Sequence, residues 1–400
     1  MAAARRGKGR KLGLALASGG MLGGVYELGA LRALEESIQG LDLNRLDVYV
    51  GVSAGAFVGA HIANGITVAE MLRSLRAGSG EDNLFDPSIF FQPALAELRK
   101  SGLHLPWTIA EAFRQFLNRP DTASLLSPLS SLGLSLPICV FANEPIRAYL
   151  HQIFSMPGRT DDFRDLPRKF FVVATDLETG GPVLFGRGGL DQVPISRAVQ
   201  ASAAVPGLYR PVEVEGRVCV DGVLLKTLHS SVALGQGADL VFCVNPLVPI
   251  NTGSAEARES LGTGAVTKGG LPAVLAQSFR ILIHSRLVLG MERYAHTFPG
   301  ADLVLLEPSP TEHRLFTNVF RFHSSTTVCE IGYEQTRMDL WNRRAALGPV
   351  LARHGLALRT GLLADPAHSV WDCLELPAER AASVTARLDA TLRVLEAGFR

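Results

Sequence analysis

Gly51-Val52-Ser53-Ala54-Gly55 is the tightest grouping of reactive chemistry in this chain. It falls between an apolar run, Val48 to Val52, and a small-residue stretch, Ala54 to Ala63. A serine at a strand-to-helix corner between glycines is a nucleophile elbow. The tight turn pushes the hydroxyl out of the chain, and Gly51 and Gly55 remove side chains that would clash there. A helix starting at Ala54 would aim backbone N–H groups and a partial positive charge at Ser53. In a chain with 40 glycines such a motif alone is a weak signal. The strand before it and the helix after it give it weight.

A nucleophilic serine needs a stabiliser for the oxyanion and a base for its proton. Ser18-Gly-Gly-Met-Leu-Gly-Gly24 offers the first, because its glycines let several N–H groups converge on one point. Its spacing fits neither the phosphate-binding P-loop nor the dinucleotide fingerprint. For the base, no histidine has a diagnostic setting. His229, His284, His296, His313 and His368 read as structural or surface residues. Asp221 precedes Gly222 at the end of a short apolar run, where a sheet presents catalytic groups. The dipeptide alone also reads as a simple turn. Asp176, within Thr175-Asp-Leu-Glu-Thr-Gly180, reads as a turn residue, and Asp47 is too close to the elbow along one strand to reach back.

The elements that must hold these groups follow from periodicity. Leu12–Ala17 reads as a buried strand, 18–24 as a loop, and Val25, Leu28, Leu31 and Leu34 as a helix with Glu35 and Glu36 in solvent and Gly40 as its stop. Leu46–Val52 is a second strand. Ala54–Ala63 is a second helix, closed by Asn64-Gly65. Further on, Phe170–Ala174, Val218–Val220, Leu240–Val244 and Leu303–Leu306 read as strands. Ile195–Ala204, Leu275–Tyr294 and Thr326–Leu340 read as helices. Gly253–Gly270 reads as a mobile surface loop. Strands alternating with helices imply a mostly parallel sheet covered on both faces. Residues 70–165 have a different texture and read as a helical insertion over one end of the sheet. Its aromatics, among them Phe85, Phe90, Phe91, Trp107 and Phe113, suit either a lipid-facing lid or ordinary core. Ala378–Phe399 reads as a docked amphipathic helix.

Bulk properties narrow the classes. The 400 residues are 47% hydrophobic and 19% charged, ample for a large core. A formal net charge of +1 gives no global field for nucleic acid, so none is expected as a partner. The five cysteines are odd in number and contain no CxxC, which suits buried reduced thiols. No His/Cys cluster has zinc spacing. The basic segment Met1–Lys11 runs into a brief apolar stretch that only superficially resembles a signal peptide. No apolar run reaches the length of a membrane span. A cytoplasmic enzyme with peripheral membrane contact is the expectation.

Five motifs in order resemble the patatin-like phospholipase family: Ser18–Gly24, Gly51–Gly55, Ala174-Thr-Asp-Leu-Glu-Thr-Gly180, Ala201-Ser-Ala-Ala-Val-Pro206 and Asp221-Gly222. The resemblance runs from about Leu12 to about Pro246, and more faintly to about Leu340. It implies a Ser-Asp dyad, with Ser53 as nucleophile and Asp221 as general base. It also implies an oxyanion hole from the amides of Gly19, Gly20 and Met21, an acyl-ester substrate, and neither metal nor cofactor. The implied fold is a patatin-like α/β/α sandwich around a mostly parallel sheet, with a helical insertion and a C-terminal appendage. The chain departs from the family at Met21, where a third glycine is usual, and at Gly23, where Arg or Lys is usual. It departs again at Val223 and at Thr227-Leu228-His229.

The expected organisation is a hydrolase domain over 1–345, with the insertion at about 70–165, and an α-rich appendage over 346–400. The expected activity is hydrolysis of lipid acyl esters. Two other readings stay open: a lipid-binding or scaffolding protein with a decayed site, and an acyltransferase using the same groups.

Overall fold

The computed structural model describes residues 10–77, 84–86, 89–90, 92, 94, 139, 141–317, 325–372 and 374. Most of the expected insertion and the expected helix Ala378–Phe399 lie outside the described residues.

Ten strands order the described chain: β1 (Leu12–Leu16), β2 (Ile38–Gln39), β3 (Val48–Gly51), β4 (Lys169–Asp176), β5 (Pro182–Phe185), β6 (Val212–Val214), β7 (Arg217–Asp221), β8 (Leu240–Val244), β9 (Asp302–Leu306) and β10 (Ala357–Leu358). Eight of them form one sheet. Its parallel part runs β9-β8-β1-β3-β4, and β5, β6 and β7 join as antiparallel neighbours. The parallel strands are near-continuous apolar runs, as burial on both faces requires. β8, for example, is buried along its whole length.

The helices are α1 (Gly20–Ser37), α2 (Ala54–Ala63), α3 (Val68–Ala77), α4 (Glu144–Phe154), α5 (Ile195–Ser202), α6 (Ser230–Gly235), α7 (Ala255–Leu261), α8 (Gly270–Thr297), α9 (Ser325–Asn342) and α10 (Arg344–Arg353), with shorter turns between. Two apolar clusters cover the sheet. One gathers α1, α2, α5 and α9, and the other gathers α6 and part of α8. Together with the sheet they make the expected α/β/α sandwich.

Register explains how two distant stretches meet. Val172 of β4 pairs with Gly51 of β3 and also with Phe185 of β5, so β3 and β5 lie on opposite edges of β4. Ala174 and Thr175 pair with β5 and also with β7. β3 and β7 therefore share one edge of β4 and run toward each other. β3 stops at Gly51, and β7 stops at Asp221.

Several expectations need correction. The segment 18–24 is not a loop, since α1 begins at Gly20 and includes Gly23 and Gly24. These glycines serve close packing: a methyl on Gly19 would lie 2.6 Å from Pro246 Cγ, and one on Gly24 would lie 3.4 Å from Ala54 Cβ. Glu36 is not in solvent. α9 covers that face of α1, and Tyr333 donates to Glu36 while Arg32 pairs with it. The close crossing has a cause, because a methyl on Gly29 would lie 2.0 Å from the Cys329 carbonyl and one on Gly332 2.2 Å from that of Tyr26. Residues 253–270 contain α7, capped by the Ser254 hydroxyl, and a further helical turn, Ala265–Lys268. Ser254 with Glu256 in the first turn is a start signal that the surrounding glycines obscured. Phe85 and Phe90 are buried and pack edge-on against Phe57, at 5.5 and 5.2 Å between ring centroids, so these two aromatics are core. The four described cysteines are buried free thiols.

Candidate active site

Ser53 follows β3 by two residues and caps the N-terminus of α2. Its φ is 55° and its ψ −120°, a left-handed setting that a non-glycine residue adopts only under constraint. The glycines on either side make the corner possible. A methyl on Gly51 would lie 2.4 Å from Ala56 Cα, and one on Gly55 would lie 2.5 Å from the Ala17 carbonyl oxygen. Gly55 N–H donates to that same oxygen at 3.1 Å, which ties the elbow to the end of β1.

The Ser18–Met21 segment begins where β1 ends, beside the elbow, because β1 and β3 are parallel neighbours with Leu16 opposite Gly51. Gly19 is extended, at φ −172°, and Gly20 takes the positive φ of 61°. Met21 has no positive φ, so the departure from glycine there costs no backbone strain. Its side chain is buried in the core and leaves its amide at the first turn of α1. The first N–H groups of a helix have no partner within it. Gly19, Gly20 and Met21 thus offer donors at the positive end of an 18-residue helix, next to a serine at the positive end of a second one.

Asp221 ends β7 and is fully buried. Its N–H donates to the Ala204 carbonyl at 3.0 Å, and its own carbonyl accepts from Thr175 Oγ1 at 3.1 Å. The side chain accepts from Val223 N–H at 2.9 Å through Oδ1, while Oδ2 has no hydrogen-bond partner among the described residues. Gly222 lets the backbone pass: a methyl there would lie 2.4 Å from the Val173 carbonyl and 3.1 Å from Val52 Cγ1. That second distance sets the Asp-Gly turn against the residue before Ser53. Burial pushes the Asp221 carboxyl up to about 7, and the Ser53 hydroxyl and the Val223 N–H pull it the other way. The structure thus brings Ser53 and Asp221 together, with the unpartnered Oδ2 left over. Catalytic hydrogen bonds are often loose until substrate arrives.

No imidazole is among the groups acting on Asp221. His229 is buried beside the backbone of Gly222 and Lys226, and burial lowers it to about 4. His284 pairs with Glu307 at 3.4 Å. Asp176 accepts from Glu178 N–H and so closes a turn, and Asp47 accepts from Leu12 N–H.

Ser202 is the residue that sequence reasoning passed over. It lies within Ala201-Ser-Ala-Ala-Val-Pro206, quoted only as a motif. Its Oγ accepts from Ser53 N–H at 2.8 Å and donates to the Val173 carbonyl at 2.6 Å, and all three groups are buried. Ser202 therefore braces the strained elbow against β4, and Ala204, two residues on, braces Asp221. The signal was its place in a run of small residues at the end of α5.

The family model described as patatin-like phospholipase matches residues 14–229, which takes in Gly19 through Asp221 and His229. An NTE family protein of Mycobacterium tuberculosis is 41% identical over 80 residues, covering 20% of this chain and 21% of that protein. A second one from the same organism is 29% identical over 245 residues, covering 61% of this chain and 32% of that protein. The chain thus spans about a fifth and a third of these relatives. Among solved structures, VipD from Legionella pneumophila aligns over 83% of this chain and 67% of its own, at TM-score 0.36 and 15% identity. Human GIVD cytosolic phospholipase A2 aligns over 59% and 39%, at TM-score 0.25 and 14% identity.

Ser202→Ala strips the Ser53 N–H of its buried partner and is expected to cost about 1–3 kcal/mol, read as a lowered thermal midpoint. An unchanged midpoint contradicts the bracing role. Asp221 in the folded chain keeps its proton up to about pH 7, against 3.8 as the ordinary value. Folding is therefore favoured by this group below about pH 4, and that advantage is lost as pH rises toward 7. The full loss is on the order of 4 kcal/mol. Asp221→Asn is expected to gain stability relative to the parent between pH 4 and pH 8, by thermal melting at each pH. Parallel pH profiles would refute it.

Proposed function

The chain belongs to the patatin-like phospholipase family, and on that footing we propose that it is a serine acyl-ester hydrolase of lipid substrates working through a Ser53–Asp221 dyad. The observation that carries the reading is the meeting of a strained, helix-capping serine with a buried carboxyl whose one free oxygen has no other partner.

In the proposed cycle the ester carbonyl enters between the elbow and the start of α1. Ser53 Oγ attacks the carbonyl carbon, and its proton passes to Asp221 Oδ2. The oxyanion that forms is held by the amides of Gly19, Gly20 and Met21, each worth about 3–4 kcal/mol if it behaves as a typical essential donor. Collapse of the tetrahedral species expels the alcohol, which takes the proton from Asp221. Water then attacks the acyl-enzyme by the same steps in reverse, and releases the acid and free Ser53. A carboxylate near pH 7 in its affinity for protons is well matched to this double duty, because a base works best when its pKa lies close to the working pH. An ordinary exposed aspartate would be too weak a base. No step uses a cofactor. The same proposal takes the hydrolase domain to extend to about residue 345.

The test is turnover of a short-chain aryl ester by the full chain. Ser53→Ala and Asp221→Asn are each expected to lower kcat by about a thousandfold or more while the protein stays folded. In the parent, kcat/KM should rise with pH through an apparent pKa near 7, since the base must be deprotonated. Full activity in either variant defeats the mechanism.

A further inference from the structure

α8 is the one described helix with two apolar faces, and only one of them is used. Ile283, Leu287 and Tyr294 are buried, the last two in the apolar cluster on the sheet. Opposite them stand three pairs, Val274-Leu275, Ile281-Leu282 and Val288-Leu289, between 38% and 63% exposed. The pairs recur every seven residues, which at ~3.6 residues per turn places them on one face. Large aliphatic side chains left in water over about four turns mark a surface that meets something apolar.

Two observations choose the occupant. The first is charge. Between residues 262 and 300 stand four basic side chains, Lys268, Arg280, Arg286 and Arg293, against one acid, Glu292. The whole chain carries a formal net charge of only +1, so this segment is basic against a neutral background. Arg286 and Arg293 are exposed and stand seven residues apart along one border of the aliphatic face, and Lys268 is exposed in the helical turn just before α8. Aliphatic residues beside a basic border suit an anionic lipid surface. Ser278 and Ser285 stand between the pairs on that face and Glu292 follows the last, where a helix–helix seam with a second copy would need apolar knobs. Among the described residues no helix is long and apolar enough to cross a membrane, so α8 would lie along the surface.

The second observation is position. α8 is fastened beside both halves of the candidate site. Arg286 donates to the Leu224 carbonyl at 2.9 Å, three residues past Asp221. His284 pairs with Glu307, which accepts from Asn245 at 2.6 Å, and the next residue, Pro246, packs against Gly19 and Gly23. A bilayer seated on α8 would thus hold lipid close to Ser53.

We propose that the exposed face of α8 is the surface by which this protein docks on anionic membranes. The inference rests on the acyl-hydrolase reading for its purpose, but not for its test. Co-sedimentation of the full chain is measured with phosphatidylcholine vesicles and with vesicles containing about 30% phosphatidylglycerol. The proposal expects binding to the anionic vesicles, weakened by salt. It expects at least a tenfold loss of that binding in Leu275→Ser/Leu282→Ser/Leu289→Ser, with thermal midpoint and turnover of a water-soluble ester kept. Lys268→Gln/Arg293→Gln should weaken binding to anionic vesicles only. The proposal is overturned if the parent binds neither vesicle, or if the triple variant binds as the parent does. It is equally overturned if the triple variant's only change is the loss of a dimer in light scattering. Stripe-dependent binding by a chain that turns over no ester would leave the surface standing and refute the hydrolase reading. Ester turnover without vesicle binding would do the reverse.

Discussion

β4 has one edge shared by two strands that arrive from opposite directions, and the site depends on that arrangement. β3 climbs to Gly51 and turns away at Ser53. β7 descends to Asp221 and turns away at Gly222. Neither strand can continue, because the other occupies the edge. Both chains must leave through tight turns, and both turns need glycine where backbones nearly touch, at Gly51, Gly55 and Gly222. The hydroxyl and the carboxyl are thus brought together by main-chain geometry, with the side chains contributing little to the search.

The same arrangement has an energetic cost. A carboxyl at the inside end of a strand, with one oxygen unpartnered, is hard to ionise. A serine with positive φ stores strain. Ser202 and Ala204, at the end of α5, offset part of this by hydrogen-bonding the backbone of each residue in turn. α5 is therefore the common brace of the pair, and α9, packed on α1 through Gly29 and Gly332, steadies the helix that supplies the amides. Stability given up at the centre is recovered in the layers around it, a pattern expected of a site that must stay reactive.

Much of this was legible in the sequence, for identifiable reasons. Ser53 announces itself because an elbow has a local signature of strand, glycine, serine, glycine and small-residue helix. The parallel strands were legible because burial on both faces makes them uninterrupted apolar runs. Asp221 was different: Asp-Gly is an ordinary turn, and only the ordered set of motifs raised it above one. The pairing of β3 and β7 on one edge is a register fact, set over more than 160 residues of separation, and no local pattern encodes it. The glycines at 19–24 suggested a loop because glycine disfavours helix, whereas here it admits Pro246 and α2 at close range. Glu36 looked solvated because its partners, Tyr333 and Arg32, include one some 300 residues away. The exposure of the aliphatic stripe of α8 was not legible, since periodicity reports that a face is apolar, and not what covers it.

The most direct test of the account is the reaction of Ser53 with an alkyl fluorophosphonate, followed by mass spectrometry of the intact protein and of its peptides. The account predicts a single adduct on Ser53, forming faster as pH rises through about 7, and about a hundredfold slower in Asp221→Asn. An adduct on another residue, no adduct at all, or an undiminished rate in the asparagine variant would contradict it.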